Sequence, residues 1–307
     1  MSRPISRRWM RLGVAFLGLA LSAAPARAVP DDLVPRTAIL SAYQPEWLAL
    51  RDSVEAPEER VLNGTVFVTG VIAGKPVVLF LSGIGMVNAA MTTQLALDHF
   101  TVERLVFSGI AGGVDPALNI GDVAVPVAWR QYLEAVFARE TGNGFALPAF
   151  ADRTSPNFGM LFPQPVTIAR PNAQMEKVFW FHTDPGLLQI ARGLPADESL
   201  VQCTAARLCL PQRPRLVIGG NGVSGPAFVD NRAFRDYVRA SFDAGIVDME
   251  SASVAHVAQA NGKPFIAFRS VAHLAGGGEG ENEAGIFFQL ASDNSAAMVR
   301  AFIKAMP

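Results

Sequence analysis

Two polar side chains stand just beyond an apolar run near the end of the chain. In PFIAFRSVAHLAGGGEG, Arg269 and His273 are four residues apart, and glycines follow at once. A guanidinium orders carboxylates, and an imidazole exchanges a proton near neutrality. No second histidine lies close in sequence, which argues against a metal pair. Similar residues recur elsewhere. Glu46 follows Pro45 at a helix start, Met249-Glu250 opens another helix, Ser82-Gly83-Ile84-Gly85 leads from strand to helix, and Ala111-Gly112 lies within SGIAGG. Glycine admits close backbone approach, and free N–H groups at a helix start suit an oxygen-rich ligand. Each residue also has a plain structural reading. Glu46 is either a capping charge or a general base. Glu250 either answers the helix dipole or accepts hydrogen bonds from a vicinal diol. Ser82 to Gly85 alone reads as a tight turn.

The elements that must position these residues alternate strand and helix. A short β-rich run from Arg36 ends at a loop, and Trp47, Leu48, Leu50 and Val54 then supply a helical apolar stripe. VFVTGVIAG and PVVLFLSG read as strands joined by a hairpin turn at Ala73-Gly74-Lys75. A helix follows SGIGMVNAA, then a buried strand in ERLVFSGIAGG and a further strand before Pro126. Residues 127–214 break the pattern, being rich in Pro, Phe, Asn and Gln. They read as a long insertion, with helix expected over 172–181 and 184–193. The rhythm resumes at RLVIGG, with a helix near Asn231–Ser241, a strand at Gly245–Asp248, a helix over Met249–Asn261, the strand PFIAFRS and a closing helix over Glu283–Met306. The expectation is one α/β domain over 29–307, a three-layer fold whose mixed, largely parallel central sheet is flanked by helices. In such sheets ligands bind beyond the carboxyl ends of the strands, where the polar and glycine residues above all fall.

The chain has 307 residues, is 50% hydrophobic and carries a formal net charge of −1. That is enough for a large packed core, and it argues against nucleic acid or an anionic membrane surface as partner. Arg3, Arg7, Arg8 and Arg11, the run LGVAFLGLALSAA, and Ala26-Arg27-Ala28 have the layout of a secretory signal over 1–28. The other reading is an N-terminal anchor helix, for which the apolar run is short. Export gives a periplasmic or secreted mature protein with no membrane attachment. In an oxidising compartment Cys203 and Cys209, the only cysteines, are expected to form a disulfide, with free buried thiols as the alternative.

Taken in order, the motifs are specific. SGIGMVNAA, SGIAGGVDPALNIGDVAVP and VDMESASVAHVAQANGKPFIAFRS resemble the purine nucleoside phosphorylase superfamily, most closely its methylthioadenosine/S-adenosylhomocysteine nucleosidase branch. The resemblance covers Thr37–Pro126 and Arg215 to the C-terminus, and leaves the insertion largely outside. It implies that Glu46, at the end of AYQPEW, activates the attacking water. It places Ser82 by the ribose, with the Gly83/Gly85 turn and Ala111-Gly112 at the substrate. Phe228 would stack on the purine, and Val229 would offer backbone hydrogen bonds to the base. Met249 and Glu250 would hold the sugar, and Arg269 would line the water side. It also implies a small-molecule purine nucleoside as partner, no cofactor or metal, and a homo-oligomer, commonly a dimer.

At one position the sequence departs from the family. Where the family runs on to a serine and an aspartate that protonates purine N7, this chain has Ala272 and His273. His273 therefore reads as a replacement general acid, or else as a structural histidine in a lapsed site. General acid catalysis contributes about 10²–10⁴-fold, and an imidazolium of ordinary pKa suits the task. The glycine-arginine motif that phosphorylases carry after their first strand is absent, and a glutamate there disfavours phosphate. The expected activity is hydrolysis of the N-glycosidic bond of an adenosine- or methylthioadenosine-like nucleoside. The alternatives are a purine-binding protein without turnover, as in plant storage proteins of the superfamily, and a phosphate-dependent phosphorylase.

Overall fold

The computed structural model describes residues 30–171, 174–195 and 199–307. The segment read as an export signal, 1–28, lies outside the described residues. The chain opens with β1 (Asp32–Ser41), α1 (Gln44–Arg51), β2 (Glu55–Leu62), β3 (Thr65–Ile72) and β4 (Lys75–Leu81). Then come α2 (Met86–His99), β5 (Phe100–Gly113), β6 (Val123–Val125) and β7 (Ala128–Gln131). Across the middle run the short strands β8 (Ala135–Phe137), β9 (Arg139–Thr141), β10 (Gly144–Ala146), β11 (Leu161–Pro163), β12 (Val166–Ile168), β13 (Glu176–Val178) and β14 (Phe181–His182), then α3 (Pro185–Arg192). The last third holds β15 (Leu216–Ile218), β16 (Asn221–Ser224), α4 (Arg232–Phe242), β17 (Ala244–Asp248), α5 (Ser251–Ala260), β18 (Phe265–His273) and α6 (Ala284–Ala305).

Twelve strands form one mixed sheet, ordered β14-β7-β16-β17-β5-β1-β4-β3-β2, with β18 on β5 and β6, and β15 on β6. β1 pairs in parallel with both β4 and β5, and β18 in parallel with β5. β17 meets the far end of β5 antiparallel, at Gly112 and Gly113. The pleat sends alternate residues to opposite faces, which builds two cores. Leu40, Phe80, Phe107 and Ala267 pack with α2 and α5, while Ile39, Leu79, Val106, Ile266 and Phe268 pack with α1 and α6. Each such buried Val, Leu, Ile or Phe side chain contributes about 1.5–3 kcal/mol. The result is the three-layer α/β arrangement expected from the sequence.

The two hairpins follow from their turns. Asn63-Gly64 and Ala73-Gly74 all have positive φ, the geometry whose twist matches paired strands. Residues 174–182 correct the sequence reading. The helix expected over 172–181 is absent from its described part, which instead holds β13 and β14; positions 172 and 173 lie outside the described residues. β13 pairs with β12, and β14 pairs with β7 at the sheet edge. Among the described residues, no helix is long and apolar enough to cross a membrane.

Candidate active site

A cavity of about 200 Å³ opens where the carboxyl ends of β1, β5, β17 and β18 converge. Ala42, Tyr43 and Glu46 line it from the end of β1 and the start of α1, and Ile110, Ala111 and Gly112 from β5. Val247 to Glu250 come from the end of β17 and the turn into α5, His273 from the end of β18, and Ala227 to Val229 from the loop after β16. Ile84, just before α2, and Phe288 from α6 complete the lining.

Glu46 is the third residue of α1 and is only 2% exposed. Its Oε2 accepts hydrogen bonds from the backbone N–H groups of Ala42 (2.9 Å) and Tyr43 (3.0 Å), and its Oε1 accepts from Ile110 (2.9 Å). The capping role and the cavity position are therefore held by one side chain. Burial pushes its carboxyl above the ordinary value, against the pull of the Arg269 charge and the three N–H donors.

Arg269 is sealed behind the wall, 1% exposed, and organises the acids. Its Nε donates to Ser251 Oγ (2.8 Å) and lies 2.8 Å from Asp248 Oδ2. Nη2 pairs with Glu250 Oε2 at 3.3 Å, Nη1 donates to the Ile110 carbonyl (3.2 Å), and the guanidinium sits 3.9 Å over the Phe107 ring. Gly109 makes this approach possible, because a Cβ there would collide with Arg269 Nη1. Glu250 Oε1 accepts from the Gly85 N–H (2.8 Å), tying the start of α2 to that of α5. Burial pushes its carboxyl up to about 7, with Arg269 opposing. Asp248 Oδ1 accepts from Ser224 Oγ (2.5 Å) and from the N–H groups of Glu250 and Ser251, fixing the turn into α5. Three carboxylates thus share one guanidinium. Among the described lining residues none is Arg or Lys. Such a site favours a cationic transition state and repels a phosphate anion.

His273 owes its place to a bulge. β18 runs in register with β5 to Val271 opposite Ala111, then Ala272 is skipped and His273 stands opposite Gly112. Bulges re-aim a side chain in this way. A Cβ on Gly112 would come within 2.8 Å of His273 Cε1, so only glycine leaves room. The imidazole stacks on Phe228 with ring centres 4.4 Å apart and planes at 23°. Nδ1 accepts from the Ala275 N–H (3.1 Å). Burial lowers its pKa to about 4, partly offset by Asp230, so the ring is neutral at physiological pH and lacks even the minor imidazolium fraction that an ordinary histidine would keep.

Of the residues singled out in the sequence, Glu46, Ala111, Gly112, Phe228, Val229, Met249, Glu250 and His273 line this one cavity. Arg269 stands behind it. Ser82, Gly83 and Gly85 do not line it: Ser82 Oγ donates to the Gly83 carbonyl, and the Gly85 N–H reaches the cavity only through Glu250. Tyr43, Ile110 and Phe288 were not singled out. Tyr43 and Ile110 lie inside AYQPEW and SGIAGG, whereas Phe288 sits in a long amphipathic helix and meets Tyr43 edge-to-face at 5.9 Å. Cys203 and Cys209 form a disulfide away from the cavity. Among the described residues no group of His, Cys, Asp or Glu is placed to hold a metal.

Comparison with known proteins places this geometry in a lineage. The sequence pattern of the phosphorylase superfamily matches residues 36–304. The 5′-methylthioadenosine/S-adenosylhomocysteine nucleosidase of Geobacillus kaustophilus is 31% identical over 279 residues, covering 88% of this chain and 97% of that protein. Bark storage protein A of Populus deltoides is 28% identical over 260 residues, covering 80% and 79%. The solved structure of the Helicobacter pylori 5′-methylthioadenosine/S-adenosylhomocysteine nucleosidase shares the fold, with a TM-score of 0.65 at 23% identity over 89% of this chain and 99% of that one. The chain belongs to the nucleoside phosphorylase superfamily, on its nucleosidase branch.

Proposed function

We propose that the protein is a purine nucleosidase that cleaves the N-glycosidic bond with water. The observation that carries this reading is Glu46: a buried carboxylate of raised pKa, held by three backbone N–H groups and lining the same cavity as His273 and Phe228. A base strengthened by burial takes a proton from water more readily. Glu250, oriented by Arg269 and Gly85, accepts from the sugar hydroxyls, and the excess of carboxylates over guanidinium stabilises oxocarbenium character in the departing sugar. Phe228 and Val229 hold the base, and His273 hydrogen-bonds it. The named activities of the nucleosidase relatives support the same reading. Neither a cofactor nor a metal is needed for these steps. The test is base release from a panel of purine nucleosides, with and without phosphate. Release independent of phosphate and lost in Glu46→Gln supports a nucleosidase; strict dependence on phosphate overturns it.

A second reading is nucleoside binding without turnover. It is favoured by one observation, a neutral histidine where the family keeps an acid, and by the likeness to bark storage protein A. No base release, with a ligand-induced rise in Tm, would select it. Export to the periplasm or beyond is part of the proposal, supported by the sequence of residues 1–28 and by the Cys203–Cys209 disulfide. So is a homo-dimer, supported by the exposed apolar Ile84, Val87 and Met91 just before and along α2, of which Ile84 also lines the cavity.

A further inference from the structure

His273 is 5% exposed, yet among the described residues nothing accepts a hydrogen bond from its Nε2. The protonation of the ring can be deduced. A backbone N–H only donates, so Nδ1, which receives the Ala275 N–H, is an acceptor, and the single proton of the neutral ring is on Nε2. Asn282 Nδ2, 3.5 Å away, approaches the same Nδ1. The Nε2 edge lies along Gly112, which lines the cavity, and the Phe228 stack holds the ring plane. Asp230, the acid whose charge reaches the imidazole, lines a second recess with Asn282 and Glu283, which His273 also touches, and does not line the cavity.

We infer that His273 reads the base: it presents one N–H donor and no acceptor to the purine edge that carries N7 and the C6 substituent, so the site prefers 6-oxopurine over 6-aminopurine nucleosides. The inference rests on the nucleosidase reading of the cavity, and it narrows the substrate away from the adenosine-like base that the resemblance implied. The edge of a 6-oxopurine offers two acceptors, N7 and O6, whereas a 6-aminopurine offers the N7 acceptor beside an N6–H donor. A lone donor satisfies the first edge and leaves the amino group of the second facing another N–H. An aspartate at this position would carry an acceptor for that amino group; the imidazole, with Nδ1 engaged, does not.

The step balances without proton donation by His273. The C1′–N9 bond breaks with its electron pair passing to the base, whose charge spreads to N7 and O6 against the Nε2–H. The oxygen of water bonds to C1′ while Glu46 takes its proton, and the free base is protonated from solvent after release. A 6-oxo group carries that charge better than a 6-amino group.

The test compares kcat/KM for inosine and adenosine in the wild type, His273→Ala and His273→Asp, together with calorimetric affinities for hypoxanthine and adenine. The expected results are a wild-type preference for inosine of about 10-fold or more, its loss in His273→Ala, and its reversal in His273→Asp. Equal or greater activity on adenosine in the wild type, or a preference that survives in His273→Ala, overturns the inference. The binding arm separates the two readings. If neither nucleoside is cleaved but hypoxanthine binds about 10-fold tighter than adenine, the nucleosidase reading fails and the base assignment stands. If adenine binds as tightly as hypoxanthine, the base assignment fails whatever the turnover.

Discussion

Glu46 and Glu250 are both buried acids beside Arg269, yet they make separable predictions. Glu46→Gln keeps the size of the side chain but cannot accept a proton, and its NH2 must face at least one backbone N–H that the carboxylate now accepts from, so turnover should fall about 10²–10⁴-fold while base affinity changes little. A matching loss of affinity would place Glu46 in binding instead. For Glu250 the useful variable is pH. Its carboxyl, pushed up to about 7 by burial, must be ionised to accept from two sugar hydroxyls. The acid form dominates below that value, so kcat/KM should climb as pH rises through about 7 and then level off. Glu46, also raised, acts in the same direction. His273, with its pKa lowered to about 4, is neutral across the whole range and adds no descending limb. A profile that falls with a midpoint near the ordinary histidine value would show instead that an imidazolium drives departure of the base.

Elements set how closely these groups approach, and β5 is the clearest case. Gly109 faces Arg269 Nη1 and Glu46 Oε1, and a methyl group there would displace the guanidinium. Gly109→Ala should cost about 1–3 kcal/mol and lower Tm by a few degrees, with activity lost through Arg269 rather than through any substrate contact. A variant of unchanged Tm and activity would show that the strand yields easily. The disulfide should behave oppositely. Replacing Cys203 and Cys209 by serine frees a short loop worth about 2 kcal/mol in chain entropy, and it should leave kcat/KM intact because the pair lies away from the cavity. How far such elements could be read from sequence follows from their burial. β18, buried at every residue, and the strand ends around Glu46, Glu250 and His273 were legible because burial and glycine leave a strong pattern. β2 was not: EAPEERVL is an exposed, charged edge strand containing a proline, with no alternating apolar face. The Ala272 bulge leaves no local signal, so the sequence could name His273 but not its approach to Gly112 or its neutral state. Phe288 was hidden in the periodicity of α6.

For the whole molecule, the cost of buried acids appears in the pH dependence of stability. Glu250 in the site and Glu134 outside it, where burial outweighs the nearby Arg130 charge, are raised to about 7 from 4.5, and Glu46 is raised too. Between about pH 4.5 and 7 the folded state therefore holds protons that the unfolded chain releases, so stability falls as pH rises. His273 has the opposite sign. Its folded pKa of about 4 lies below the ordinary 6.5, so between those values the unfolded chain binds a proton that the fold refuses, and stability rises with pH. The lowered pKa of His256 adds to that side. The two trends oppose each other up to about 6.5, above which the carboxylates act alone, so the protein should be less stable at pH 8 than at pH 5.5. The opposing contribution can be isolated with His273→Asn. The free-energy difference between variant and wild type should shift by about 2 kcal/mol in the variant's favour between pH 7.5 and pH 5, since the wild type alone carries the histidine cost. Urea denaturation at the two pH values measures this directly. A difference that stays constant with pH would mean that His273 takes up a proton in the folded protein as readily as in the unfolded chain, and base recognition by the neutral donor would then be confined to pH values above about 6.5.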